Sequence, residues 1–236
     1  MTDVRPESSA EEERGSAVGR RAVLGLLALG GVGVVTGSRI QDGLARFLAP
    51  IQNRDPTGLT GLIPLGDTFR YYSVTSSVPG RTPNDYRLAV SGLVARSATY
   101  TFDELEALPQ TKLTREFQCV TGWRVPDVHW VGVRLSTLLR TAQPSAAAKA
   151  VRFRSFDGTY TESLRLDEAM RPDVLVALQM LGGPVTHDHG GPVRMYCGSM
   201  YGYKSAKWLS GIELTREQIP GYWETRGYDI DGSYRD

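Results

Sequence analysis

At 236 residues, 41% hydrophobic and 22% charged, the chain has an ordinary globular composition and enough length for one sizeable domain or two small ones. A net charge of +1 argues against any nucleic-acid partner, or an acidic membrane surface, recognised through global electrostatics. Two cysteines, Cys119 and Cys197, exclude a dense disulfide scaffold and a four-cysteine zinc site, and leave a single disulfide open.

Residues 1–19 are polar, include Glu11-Glu12-Glu13 and show no periodicity, so disorder is expected there. Arg20-Arg21 then precede an uncharged, glycine-rich apolar run that ends near Gly37. This is the pattern of a twin-arginine export signal, with a short membrane anchor as the alternative. The run is about 16 residues long, short of the roughly 20 that a comfortable span needs. Export to the periplasmic or other extracytoplasmic face is expected, with cleavage or retention as an anchor left open. The expected organisation is a tail and signal over 1–37, a linker or arm over 38–66, and a folded domain over 67–236.

Residues 86–94 alternate as a half-buried strand. Thr101 and Glu104 have capping-box spacing and open a short helix that stops before Pro109. Residues 113–117 lead as a strand into a turn at Cys119 closed by Gly122, and 135–141 read as a short helix. Residues 151–156 and 159–163 are expected to pair as a hairpin across Asp157-Gly158, a favoured two-residue turn. Residues 166–170 read as helix, 174–180 as a buried strand, 182–184 as a turn, and 193–196 and 209–214 as further strands. Many short strands with few, short helices predict an α+β domain of mixed, mostly antiparallel sheets.

Three stretches carry chemistry. Cys119-Val120-Thr121-Gly122-Trp123 puts a thiol, the soft ligand and nucleophile of the repertoire, on a turn between ordered elements. Taken alone it reads more readily as a small buried hydrophobe than as a ligand or nucleophile. His189-Gly190-Gly191-Pro192-Val193-Arg194 combines glycines that let backbone approach a ligand with a guanidinium suited to phosphate, though a surface ion pair is an arginine's commoner fate. Tyr201 to Leu209 offers Gly202, Lys204, Ser205 and Lys207 to an anion, without matching the nucleotide P-loop pattern. His187 and His189 with His129 suggest zinc only weakly, because the chain has three histidines in all. A thiol hydrolase built on Cys119 lacks any oxyanion-hole signature.

Taken together and in order, these stretches, with Trp130-Val131-Gly132-Val133-Arg134-Leu135 between them, resemble the sulfite oxidase family of molybdopterin enzymes over roughly 71–228. The resemblance implies a fold of mixed sheets and short helices around a buried pterin, with molybdopterin and molybdenum as cofactor. It implies Cys119 as the one protein ligand to the metal, His189 at the pterin and Arg194 at its terminal phosphate. Lys204, Ser205 and Lys207 are expected at the pterin and phosphate, where Arg194, Lys204 and Lys207 would converge, and Thr121 and Tyr71 also belong to the cofactor set. Asp157, whose type turn chemistry alone explains, resembles part of a family loop near the metal, and with Tyr72 and Cys119 makes the catalytic set.

Departures from the family bear on the substrate. The run 69–74 lacks an Arg-Asn-His sequence found in animal and plant members, and holds Tyr71, Tyr72 and Ser73 instead. Nothing after Asp236 corresponds to their dimerisation domain, which points to the compact bacterial members and to a monomer. Paired asparagines that such members use near the pterin are missing, and Gly198 stands where a proline is usual. Tyrosines offer neutral hydrogen bonds and an apolar face, so the expected reaction is oxygen-atom removal from a sulfoxide or similar neutral oxide. Sulfite oxidation and a non-catalytic anion- or partner-binding module are the alternatives. Without haem-attachment or iron–sulfur cysteines, electrons are expected from a membrane haem- or quinone-linked partner.

Overall fold

The computed structural model describes residues 69, 72–75 and 78–234. The expectations for 1–37, for 38–66 and for Tyr71 lie outside the described residues. Among the described residues, no helix is long and apolar enough to cross a membrane.

One five-stranded sheet combines β1 (Arg87–Gly92), β2 (Ala98–Thr101), β5 (Ala150–Ser155), β6 (Thr161–Arg165) and β10 (Leu209–Thr215) in the order β2-β1-β10-β5-β6. Its β1–β10 pair is parallel and the others are antiparallel. The second sheet runs β3 (Gln110–Gln118), β4 (Arg124–Arg134), β7 (Val174–Met180), β8 (Gly183–Pro184), with β9 (Arg194–Cys197) also on β7, all antiparallel. Helices α1 (Phe102–Ala107), α2 (Leu135–Ala142) and α3 (Leu166–Ala169) are short, which gives the α+β class expected.

The local chemistry explains the ends of these elements. Thr101 Oγ1 accepts the Glu104 amide while Glu104 Oε2 accepts the Thr101 amide, so α1 opens on a complete capping box. Gln143, with φ 56°, closes α2 in the left-handed conformation. Strand β7 is buried at every position but Gln179, as a central strand covered on both faces should be. Gly198 donates its amide to the Asp173 carbonyl at 3.0 Å, a bond that proline could not make.

Two departures from the sequence reading affect the site. The stretch after Trp123 is an eleven-residue strand, β4, despite Pro126 and despite Asp127 at φ 50°. A register shift opposite these residues, between Arg115 and Phe117, absorbs the irregularity as a bulge does. The hairpin is wider than expected: β5 ends at Ser155 and β6 begins at Thr161, with Arg154 facing Thr161. Asp157 caps that loop, its Oδ1 accepting the amides of Thr159 at 2.9 Å and Tyr160 at 2.8 Å.

The core divides in two. The larger cluster packs Leu88, Val90, Leu135, Leu138, Phe153, Leu164 and Ile212 around the first sheet. The smaller gathers Phe117, Trp123, Val128, Trp130, Leu175 and Tyr196, with Phe69 and Cys119 against it. Each large buried side chain contributes about 1.5–3 kcal/mol by leaving water. The smaller, aromatic cluster forms the wall of the site.

Candidate cofactor site

Strand β3 delivers Cys119 to a turn held at both ends. The Cys119 amide donates to the Trp123 carbonyl at 2.8 Å, and the Gly122 amide donates to the Cys119 carbonyl at 3.0 Å. Gly122 lies at φ 95°, a conformation glycine adopts without strain. The half-buried thiol is 3.2 Å from Thr121 Oγ1. Both cysteines are free thiols. Cys197 is buried, its thiol donates to the Lys204 carbonyl at 3.3 Å, and burial pushes it up to about 12. That leaves Cys119 as the accessible thiol.

From this turn a chain of contacts runs around a chamber. Trp123 packs on Phe117 and Phe69, and the ring of Tyr72 stacks on it with centroids 6.4 Å apart. Lys207 Nζ donates to the Tyr72 carbonyl, and its stem lies against Gly190. A Cβ on Gly190 would come within 2.5 Å of the Lys207 side chain, so close approach as well as φ 96° fixes glycine there. His189 meets the edge of Phe69 at 5.3 Å, and its imidazole has no hydrogen-bond partner among the described residues. Arg194 completes the circuit, its guanidinium lying 5.3 Å from the Phe117 ring and 5.7 Å from the Trp130 ring.

The charges in this chamber are one-sided. Arg194 is buried and donates to the carbonyls of His189 at 2.6 Å and Ser205 at 3.2 Å, with no carboxylate paired to it among the described residues. Burial lowers Arg194 to about 10. Burial foremost, and then Arg194, lowers Lys207 to about 7, against a weaker upward pull from Asp157 and Asp188. The same two causes hold His189 below the ordinary imidazole range. Asp157 keeps one buried oxygen, Oδ2, without a hydrogen-bond partner.

The unsatisfied atoms test what this chamber fits. The indole N–H groups of Trp123 and Trp130 are buried without acceptors, and a buried donor left unpaired costs about 1–3 kcal/mol. Two orphaned donors, a buried guanidinium with no acid and a half-buried thiol call for an anionic, acceptor-rich ligand carrying a soft metal. Molybdopterin, with its phosphate, its ring heteroatoms and its molybdenum, is such a ligand, so the residues present fit the group.

Of the residues expected from sequence, Cys119, Thr121, Tyr72, His189, Arg194 and Lys207 belong to this one circuit, and Asp157 reaches it through its field on Lys207. Ser205 adjoins it through its carbonyl, while its Oγ accepts the Cys197 amide at 3.0 Å. Lys204 is a correction: its ammonium does not converge with Arg194 and Lys207. Its side chain is fully buried and donates to Glu162, Glu224 and the Ile230 carbonyl instead. Sequence reasoning missed Phe69 and Phe117 as walls of the chamber. Their signal was their closeness in sequence to Tyr72 and Cys119.

Comparison with known proteins agrees with this chemistry. The oxidoreductase molybdopterin binding domain family matches residues 75–223. The chain is 36% identical over 147 residues to an uncharacterized oxidoreductase of Bacillus subtilis, YuiH, a match covering 62% of this chain and 74% of that one. It is 30% identical over 188 residues to the protein-methionine-sulfoxide reductase catalytic subunit MsrP of Ralstonia nicotianae, covering 71% of this chain and 56% of that one. The sulfane dehydrogenase SoxCD from Paracoccus pantotrophus shares the fold, with a TM-score of 0.56 at 23% identity over 61% of this chain and 41% of that one.

Proposed function

The chain belongs to the sulfite oxidase family of molybdopterin oxidoreductases, and from that premise we propose that it removes an oxygen atom from a small neutral oxide of the sulfoxide type. In this reading it is exported by the twin-arginine route and receives electrons from a membrane haem- or quinone-linked partner. When bound, the molybdenum cofactor supplies two-electron exchange of an oxygen atom. Removal of the oxygen consumes two electrons and two protons and releases water.

The chain's own residues set the conditions for that exchange. Cys119 Sγ would hold the metal, and its contact with Thr121 Oγ1 restricts the sulfur's orientation. Arg194 and Lys207 would bind the cofactor's anion, with His189 and Ser205 beside them and Tyr71 assigned to the same set. Phe69, Phe117 and Trp123 exclude water. Asp157, whose buried Oδ2 has no hydrogen-bond partner among the described residues, is the remaining polar group assigned to the catalytic set.

One observation carries the choice of substrate: the wall beside Cys119 is neutral and aromatic. Tyr72 is 37% exposed and stacked on Trp123, and Val120 next to the thiol is 40% exposed. The arginines that a sulfite dianion would need are engaged or distant in kind. Arg124 lies 3.5 Å from Glu116, Arg154 lies 2.7 Å from Glu213, and Arg115 is exposed on β3. With Arg194 and Lys207 assigned to the cofactor's anion, the described residues of this wall offer a doubly charged substrate no further counter-charge for the hydration it would lose. A sulfoxide, with one strong acceptor and two apolar substituents, matches it.

Assays with a reduced dye and sulfoxides, set beside sulfite with an oxidised acceptor, test the reaction. Sulfoxide reduction is expected, and efficient sulfite oxidation without it would overturn this choice of substrate. Replacing Arg20-Arg21 by Lys-Lys tests the route: the protein should stay in the cytoplasm with its cofactor loaded. Unchanged export of that variant would contradict the twin-arginine assignment.

A further inference from the structure

Lys204 is the expected cofactor residue that the fold turns inward, and the cluster around it is short of one proton. Its Nζ donates to Glu162 Oε1 at 2.7 Å, Glu224 Oε1 at 2.8 Å and the Ile230 carbonyl at 2.8 Å. All three N–H donors of the ammonium are therefore engaged. The side chains of Lys204 and Glu162 are 0% exposed and that of Glu224 is 2% exposed. Glu162 Oε1 also accepts the Ser163 amide at 2.7 Å. The remaining oxygens, Glu162 Oε2 and Glu224 Oε2, are buried and have no hydrogen-bond partner.

With both glutamates ionised, the cluster would carry one net negative charge away from water and leave two acceptors unsatisfied. Among the described residues, no second cation offsets that charge. The groups facing it are the hydroxyls of Tyr160 and Tyr203 and the thiol of Cys197, all held neutral by burial, and Asp229 and Asp231 add to the negative field at Tyr203. One proton removes both defects. Both carboxyl groups meet at Lys204 Nζ and adjoin each other, so a proton bound on one is donated to the other, and the set of one lysine and two glutamates becomes neutral.

We propose that Glu162 and Glu224 share a single proton at neutral pH, and that the neutral triad they form with Lys204 positions the turn over 202–207 for cofactor binding. The positioning half rests on the cofactor site proposed above; the proton-sharing half does not. Burial foremost raises Glu162 well above the ordinary carboxylate range, and a hydrogen bond with Glu224 adds to it, against the pull of Lys204. Burial works against the Lys204 ammonium, yet Glu162 and Glu224 outweigh it and hold Lys204 above its ordinary value. Those two directions agree when the ammonium stays charged and one proton sits on the carboxyl pair.

The triad reaches the cofactor site through the backbone. The Lys204 carbonyl accepts the Cys197 thiol, and the next carbonyl, that of Ser205, accepts Arg194 Nη2. On its other side the triad secures Glu224 and Ile230, bringing the C-terminal segment onto the same turn. The folded carboxyl pair binds one more proton than the unfolded chain above the ordinary glutamate value of 4.5. Stability contributed by the triad is therefore full below that value and is lost as pH rises through the folded one.

Infrared spectroscopy of the full chain, with molybdenum content measured on the same samples across a pH series, tests both halves. At neutral pH the wild type should show the carbonyl band of a protonated carboxyl group, and both Glu162→Gln and Glu224→Gln should lose it. Each variant should still fold, because the glutamine amide replaces the shared O–H as donor. Absence of the band in the wild type, or its survival in both variants, overturns proton sharing. Retained molybdenum should fall with rising pH in both proteins as Lys207 loses its proton, and more steeply in the wild type than in Glu162→Gln. The same pH dependence in the two proteins overturns the positioning role. The infrared arm does not depend on metal, so a chain that bound no molybdenum would refute the cofactor reading and leave the shared proton decided on its own.

Discussion

Two cationic regions lie a few residues apart and have opposite fates. At the Cys119 chamber, Arg194 is buried with no carboxylate paired to it among the described residues, beside two indole donors without acceptors there. At the inner triad, Lys204 is buried with two carboxylates and a carbonyl, and every donor it has is used. Lys204 and Lys207 belong to the same short motif, so their neighbours and not their residue type decide the difference. The region that the described residues leave incomplete is the one proposed to take the cofactor. The region they complete is proposed to hold the first in place.

The contrast breaks most severely at the metal ligand. Cys119→Ser should leave the thermal unfolding temperature close to wild type, because the thiol is half-buried on a turn, and should abolish turnover. Retained turnover in that variant would sink the metal-ligand role. At the triad the loss should fall on the fold instead. Removing one partner of a buried ion pair costs about 3–5 kcal/mol, so Lys204→Ala should be strongly destabilised even in cofactor-free protein. A melting temperature unchanged from wild type would show that the triad is not closed as described.

Arg194→Met should divide the other way. Each lost charge-assisted hydrogen bond is worth about 1.5–3 kcal/mol, so molybdenum content should fall about tenfold or more. Content equal to wild type would return Arg194 to a purely structural role. Lys207 gives the smallest and most graded effect. Its folded value near 7 lies below the ordinary lysine value of 10.5, so the folded protein binds fewer protons than the unfolded chain between them. The contribution of Lys207 to the stability of cofactor-free protein, read against Lys207→Met so that the triad's opposite trend cancels, should therefore rise with pH across that window. Inorganic phosphate should flatten the rise by supplying the missing anion. A flat profile without phosphate would mean that Lys207 is not held down by burial and Arg194.

Much of the cofactor chamber was legible in the sequence, because its cysteine, histidine, arginine and second lysine sit in short motifs whose spacing survives in the fold. The inner triad was not. Lys204 finds its acids 42 and 20 residues away, and nothing local distinguishes a lysine facing a phosphate from one facing buried glutamates. The class and most strands followed from alternation and capping. Strand β4 did not: the sequence reading assigned 124–134 no element, and its irregular stretch at Pro126 and the left-handed Asp127 is accommodated by a bulge against β3. The Asp157-Gly158 turn was read too tightly. Its carboxylate accepts two amides further along and widens the loop to five residues between Ser155 and Thr161.

In the proposed reading, Cys119 holds molybdenum in a chamber whose donors await an anionic pterin. Molybdenum-edge X-ray absorption on the purified protein counts the sulfur ligands at the metal in the wild type and in Cys119→Ser. One sulfur fewer is expected in the variant, with the pterin's own sulfurs retained. An unchanged sulfur count would rule out Cys119 as the ligand.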